Sequence, residues 1–311
     1  MMEFMIVVNC PGQGSQTPGF LLPWIEDTRN RDTLDQLSTS SGIDLVKHGT
    51  ESDADTIRDT AIAQPLIVAA GILAWNSLMD LPGAASAVRG VAGHSVGEIT
   101  AAYAAGIFDA DTAMRFVARR SQLMAQDAAA TPTSMSAVLG GDEQVVLARL
   151  AELDLTPANF NGGGQIVAAG APDALDALRS EPAAGTRVIP LKVAGAFHTR
   201  YMEQARTALG ADAELFEVRD PVRTIWSNET GETVTDGVEF RASLIRQLAQ
   251  PVRWDACMRS FAEAGVSSLI ELAPAGTLSG LAKRALRGTP TLALSTPADL
   301  DAARERISAD A

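Results

Sequence analysis

Thiols and imidazoles are scarce in this 311-residue chain: Cys10 and Cys257 are the only cysteines, and His48, His94 and His198 the only histidines. Two cysteines make neither a disulfide framework nor a metal-ligand pattern, which predicts a reducing, cytoplasmic setting and no bound metal. Basic charge is also in deficit, with 25 Lys and Arg against 38 Asp and Glu and a formal net charge of −13. That balance argues against broad binding to nucleic acid or to an anionic membrane surface. An acidic partner would need a local basic patch, and the nearest to one is Lys283, Arg284 and Arg287, with Lys192 and Arg200 flanking a second segment. The opening apolar stretch is too short to span a bilayer and lacks a basic flank, and no later segment is expected to reach spanning length. No repeat or low-complexity tract is visible.

What the chain does contain is Gly93-His94-Ser95-Val96-Gly97-Glu98, a G-x-S-x-G spacing between an apolar, strand-like run (Val88 to Ala92) and an Ala-rich helical stretch (Val96 to Ala105). A serine on such a strand-to-helix turn is a candidate nucleophile. Its flanking glycines are expected to relieve turn strain and to keep Cβ atoms out of the path of an incoming carbonyl. Backbone N–H groups at the helix start can hold an oxyanion.

Strand-like runs at Phe4 to Cys10, Val222 to Ser227 and Ser268 to Leu272 each lead into a loop and a helical pattern. Together with the serine turn, this predicts an α/β fold whose larger, hydrolase-like domain is a parallel sheet wrapped by helices. The middle third differs. Met135 to Leu139, Asp142 to Ala151, Thr156 to Asn159, Gln165 to Ala169, Pro172 to Leu178 and Arg187 to Leu191 read as β-α-β-β-α-β, with Asn161-Gly162-Gly163-Gly164 as the central loop. That order is the ferredoxin-like unit. The expected division is a small domain at 132–194 inserted into a large catalytic domain at 1–131 and 195–311.

A serine hydroxyl needs a base. His94 adjoins Ser95 on a turn where neighbouring side chains diverge, which suits it to the pocket wall, and His48 reads as a solvated turn residue. His198, in Gly195-Ala196-Phe197-His198, falls at the seam between the two domains, where clefts form. No Asp or Glu stands out as its orienter; a backbone carbonyl on Nδ1 would serve equally. Across Thr112 to Met124, helical spacing groups Ala113, Val117 and Met124 on one side and Arg115, Arg119 and Gln122 on the other. Arg120 projects among the apolar group. A buried guanidinium needs an anion: either an internal carboxylate or the carboxylate of a substrate.

With these segments in view, and with Pro11-Gly12-Gln13-Gly14-Ser15-Gln16, Ala63-Gln64-Pro65, Asn159-Phe160-Asn161, Gln250-Pro251-Val252-Arg253-Trp254 and Pro274-Ala275-Gly276-Thr277-Leu278, the chain resembles malonyl-CoA:acyl carrier protein transacylases over nearly its whole length. The likeness is to the actinobacterial fatty-acid type. The resemblance implies Ser95 as nucleophile, His198 as general base and acid, the backbone N–H groups of Gln13 and Val96 as the oxyanion hole, and the Gln247 carbonyl as orienter of His198. It further implies that Arg120 grips the malonate carboxylate, with His94, Phe197 and Gln64 at the substrate and Lys283, Arg284 and Lys192 toward the carrier protein. Many members carry Arg-Gly where this chain has Arg120-Ser121, so the choice of Arg120 over Arg119 rests partly on the helical face. Phe197 resembles the malonyl-selective version, which disfavours branched extender units. The implied reaction is ping-pong exchange from coenzyme A to carrier-protein phosphopantetheine by a monomer, with no bound cofactor, metal, nucleic acid or membrane. A discrete polyketide acyltransferase shares every one of these features. A serine esterase or thioesterase would account for Ser95 and His198 but not for Arg120, and the chain has no His-Gly-Gly-Gly signature. A noncatalytic carrier-binding module would leave the serine and histidine coincidental.

Overall fold

The computed structural model describes residues 5–309; Phe4, expected to open the first strand, lies outside them. The strands in chain order are β1 (Ile6–Cys10), β2 (Val88–Gly93), β3 (Ser134–Gly140), β4 (Thr156–Gly162), β5 (Gln165–Gly170), β6 (Thr186–Pro190), β7 (Thr224–Trp226), β8 (Ser268–Glu271) and β9 (Thr291–Ala293). Five of them form a sheet in the order β7-β2-β1-β8-β9, every neighbouring pair parallel. A parallel sheet is covered on both faces, which is why its strands read as continuous apolar runs. Ile6, Val8 and Cys10 of β1 pack into the principal core, whereas Val7 joins Trp226, Trp254 and Phe261 on the opposite face.

β3, β4, β5 and β6 make a second sheet, in the order β4-β5-β3-β6 and wholly antiparallel. It is two-sided. Ile166 and Ala168 of β5 face the helices Glu143–Glu152 and Pro172–Ser180, while the alternate residues Val167 and Ala169 belong to the principal core. β4 is also stitched to the rest of the protein, with the Phe160 N–H donating to the Val252 carbonyl at 2.9 Å and the Val252 N–H to the Ala158 carbonyl at 2.9 Å.

Four expectations change. The helix Thr60–Met79 has 20 residues with a window of mean hydropathy 1.5, long and apolar enough to cross a membrane. Gln64, Pro65 and Gly71 interrupt its apolar run and disguised it; 78% of that window is buried inside the protein, so its surface is occupied by core packing. Val222 lies outside β7, 80% exposed, its N–H bonded to the Ala105 carbonyl. β4 continues through Asn161 and Gly162, leaving Gly163-Gly164 as the hairpin turn. β9 had no sequence signal, being three half-buried residues at the sheet edge.

β1, β2, β7 and β8 end on the same side, and the chain leaving each one supplies cleft or active-site residues, as in open α/β sheets generally. The turn after β2 depends on two glycines. A Cβ on Gly97 would stand 2.1 Å from the Cys10 carbonyl oxygen, and one on Gly93 would stand 2.1 Å from the Gly97 carbonyl carbon. The crowding they avoid is with the protein's own backbone. Gly97→Ala is expected to lower unfolding stability by about 2–3 kcal/mol, measured by denaturant titration, because β1 must move to admit the methyl.

Candidate active site

Ser95 sits between β2 and the elbow helix Gly97–Ala104 with φ 54°, a left-handed backbone that costs a non-glycine residue energy. Asn228, just beyond β7, holds the turn from both sides: its Oδ1 accepts from the Ser95 N–H at 2.8 Å and its Nδ2 donates to the Gly93 carbonyl at 2.7 Å. Among the described residues only Ser95, Asp154 and His198 combine a side chain with positive φ, and two of these three face one another. The Ser95 Oγ lies 2.7 Å from His198 Nε2.

The other imidazole nitrogen, Nδ1, lies 2.8 Å from the main-chain carbonyl oxygen of Gln247. A carbonyl only accepts, so Nδ1 carries the proton and Nε2 presents its lone pair to the serine hydroxyl. Burial and then the nearby Arg120 charge push the His198 pKa down to about 3, opposed by the Gln247 hydrogen bond. The ring is therefore a neutral imidazole across the physiological range.

Arg120, on the helix Ala110–Ala130, is completely buried, whereas Arg119 turns outward to Asp212 at 2.7 Å. The helical-face argument thus selects the buried residue. No carboxylate pairs with Arg120 among the described residues. Its Nη1 donates to Gln64 Oε1 at 2.6 Å, its Nη2 to Gln247 Oε1 at 2.9 Å, and its Nε has no partner. Burial lowers its pKa to about 10, an effect that the charge of Glu98 partly offsets. Glu98, in the first turn of the elbow helix, is 1% exposed and accepts hydrogen bonds from the Asn228 N–H and from Gln247 Nε2. Burial raises its carboxyl to about 8 against the Asn228 hydrogen bond and the Arg120 charge.

A cleft of about 510 Å³ opens between the two sheets, and Gln13, Gln64, His94, Ser95, Phe197 and His198 line it. His94 is a wall: its Nε2 meets Asn161 Oδ1 at 2.8 Å and its ring stands edge-on to Trp254. Gln13 and Val96 follow β1 and Ser95 respectively, and neither backbone N–H has a hydrogen-bond acceptor among the described residues. Arg284, on the helix Thr277–Ala285, reaches the cleft and donates to Gln165 at 3.1 Å; Lys283 beside it is exposed. Lys192 is exposed between Leu191 and Val193, which line the cleft. His48 bonds Ser52, away from the cleft. Reasoning from sequence had missed Asn228, the Gln247 side chain and the position of Glu98. An Asn after a strand signals only a turn, and Glu98 was visible merely as a motif letter.

The acyl transferase domain family matches residues 7–301. A Mycobacterium tuberculosis protein named malonyl CoA-acyl carrier protein transacylase is 48% identical over 297 residues, covering 96% of this chain and 98% of that one. The crystal structure of MCAT from Mycobacterium tuberculosis has a TM-score of 0.93 at 48% identity, covering 96% of this chain and 99% of that one. A solved complex of a type II PKS acyl-carrier protein with its malonyl-transacylase is similar at TM-score 0.88 and 29% identity, over 97% of this chain and 99% of that one. A serine elbow, an imidazole oriented by a carbonyl, and a match spanning nearly all of the sequence lead to one assignment: the chain belongs to the acyl transferase domain family.

Proposed function

We propose that this chain transfers the malonyl group of malonyl-CoA to the phosphopantetheine thiol of an acyl carrier protein, supplying fatty-acid elongation through a malonyl-Ser95 ester. The observation that carries the reading is Arg120: a buried cation with no carboxylate of its own and an unpaired Nε, bonded both to Gln64 of the cleft and to Gln247 beside His198. A guanidinium with free donors suits a planar carboxylate held by two hydrogen bonds. The names of its transacylase relatives agree.

In the first half-reaction the Ser95 proton passes to His198 Nε2 as Oγ bonds the thioester carbon. The N–H groups of Gln13 and Val96 take the developing oxyanion. Collapse breaks the C–S bond, and the imidazolium returns its proton to the leaving coenzyme A thiolate. The second half runs in reverse, with the carrier thiol giving its proton to His198 and attacking the ester. Gln247 keeps the imidazole in one tautomer throughout, and no bound cofactor enters these steps. Gln64, Phe197 and His94 shape the acyl pocket, Phe197 crowding an α-branch, while Lys283, Arg284 and Lys192 face an acidic carrier protein. The site is complete within one chain, which supports a monomer, and buried free thiols at Cys10 and Cys257 support a reducing, cytoplasmic setting. We also read 132–194 as a ferredoxin-like insertion in a hydrolase-like body at 1–131 and 195–311, supported by the strand order β4-β5-β3-β6. A discrete polyketide acyltransferase with the same chemistry is the second reading, favoured by the likeness to the solved carrier complex.

Intact-mass analysis after exposure to acyl-CoAs tests the reading. Wild type is expected to gain a stable malonyl group and Ser95→Ala none, with methylmalonyl loading slower by about 10- to 200-fold. Arg120→Ala should cut malonyl loading at least ~100-fold and leave acetyl loading within a few fold, because only malonate loses a charged partner. Equal losses make Arg120 structural, and steady release of free malonate makes the protein a hydrolase. Acetyl loading by wild type should stay flat down to about pH 5, since His198 binds its inhibiting proton only below that. In Arg120→Ala the acid limb should move upward, because the cation that repels that proton is gone; stopped-flow acylation against pH checks it. Lys283→Glu should raise the KM for carrier protein about threefold to tenfold at low salt and leave self-malonylation intact, as steady-state kinetics would measure.

A further inference from the structure

Glu98 has no part in the steps above, yet it is the buried carboxylate nearest the cation in hydrogen-bond connectivity. The Gln247 amide lies between them, and its orientation is fixed at both ends. Arg120 only donates, so it takes Oε1; Nε2 then faces acceptors, the Glu98 carboxylate and the Ser95 carbonyl at 3.3 Å. The result is a buried cation, amide and anion in series.

The other ionisable groups turned toward Glu98 are few. Cys257 faces it from the helix Trp254–Glu263, its thiol pushed up chiefly by burial and further by Glu98. Glu229, from the loop after β7, is already held by Arg246 through two contacts of 2.8 Å. Cys10 lies under Gly97 on β1. The packed helix Thr60–Met79 carries no ionisable side chain, and in β2 the only charge, Arg89, is at the exposed end. Tyr103, on the elbow helix itself, bonds Asn76. Among the described residues Arg120 is therefore the one cation that offsets the Glu98 charge.

Resting on the reading that Arg120 grips the substrate's free carboxylate, we propose that loading a carboxylated acyl group is coupled to uptake of one proton by Glu98. Above about pH 8, where Glu98 is ionised in the free protein, the buried site holds one positive and one negative charge before binding. Binding adds a second carboxylate, and two anions sharing one buried guanidinium is the arrangement in which one of them takes a proton from solvent. Glu98 is the one that protonates, because the substrate carboxylate receives the direct guanidinium hydrogen bonds. An acetyl group brings no charge and leaves the protonation of Glu98 unchanged. Glu98 is thus a positioning and charge-balancing residue, acting on substrate through Gln247 and Arg120.

The test uses Ser95→Ala protein, which binds without reacting, titrated calorimetrically with malonyl-CoA and with acetyl-CoA in two buffers of different ionisation enthalpy. At about pH 8.5 malonyl-CoA should take up a larger fraction of a proton than acetyl-CoA, and the difference should vanish below about pH 6, where Glu98 is already protonated in the free protein. Adding Glu98→Gln should abolish it. An infrared difference spectrum of Ser95→Ala should gain a protonated-carboxyl band with malonyl-CoA and not with acetyl-CoA, which keeps the test open if Glu98→Gln fails to fold. Equal proton counts for the two thioesters at pH ~8.5, or a difference that persists in Glu98→Gln, overturns the proposal. If malonyl-CoA binds Ser95→Ala/Arg120→Ala as tightly as Ser95→Ala, the carboxylate-clamp reading itself fails; Arg120-dependent binding without proton uptake defeats only the role of Glu98.

Discussion

Gln247 makes two attachments that the rest of the site relies on. Its main-chain carbonyl holds the imidazole of His198, and its side-chain amide stands between Arg120 and Glu98. One residue thereby fixes the tautomer of the base and the orientation of the buried cation. In the proposed function, the two halves of the task, activating a hydroxyl and recognising an acyl group, are mechanically joined at this point. Moving the residue disturbs both, because among the described residues neither the imidazole nor the guanidinium has a side-chain carboxylate to hold it in place.

Buried charge in this protein is managed by distance and by amides. Glu98 and Arg120 do not touch; each hydrogen-bonds Gln247, whose amide dipole mediates between them. A direct ion pair would satisfy Arg120 and remove its capacity for an external carboxylate. Leaving it joined to two glutamine oxygens, with Nε unpaired, keeps that capacity while avoiding a wholly isolated charge.

The parts of this arrangement legible in the sequence are those with local signals. Ser95 is marked by glycines two positions away on either side, and Arg120 by its phase on an amphipathic helix. His198 emerges because only two other imidazoles compete with it. The second sheet is readable because short strands and helices alternate over Ser134 to Pro190. By contrast, Asn228 reaches the Ser95 N–H across a separation of 133 residues, and the Gln247 side chain reaches the Ser95 carbonyl across 152. Such contacts exist only after the sheet brings β2, β7 and the segment after the helix Gly237–Arg246 together. Composition and periodicity carry no trace of them. The length of the helix Thr60–Met79 is hidden for a related reason: Gln64 and Pro65 break its apolar run, and packing tolerates them because Gln64 lines the cleft and Pro65 lies near the helix start.

The alternating allegiance of β5 determines how the cleft behaves. Ile166 and Ala168 commit that strand to its own pair of helices, while Val167 and Ala169 commit it to the main hydrophobic interior. Swinging this unit outward as a rigid jaw would pull Val167 and Ala169 into water and break the β4 link to Val252. Widening the aperture in this way therefore carries the cost of exposing Val167 and Ala169 and of breaking the β4 hydrogen bonds to Val252. A unit transplanted from a relative would have to bring a matching inner face with it.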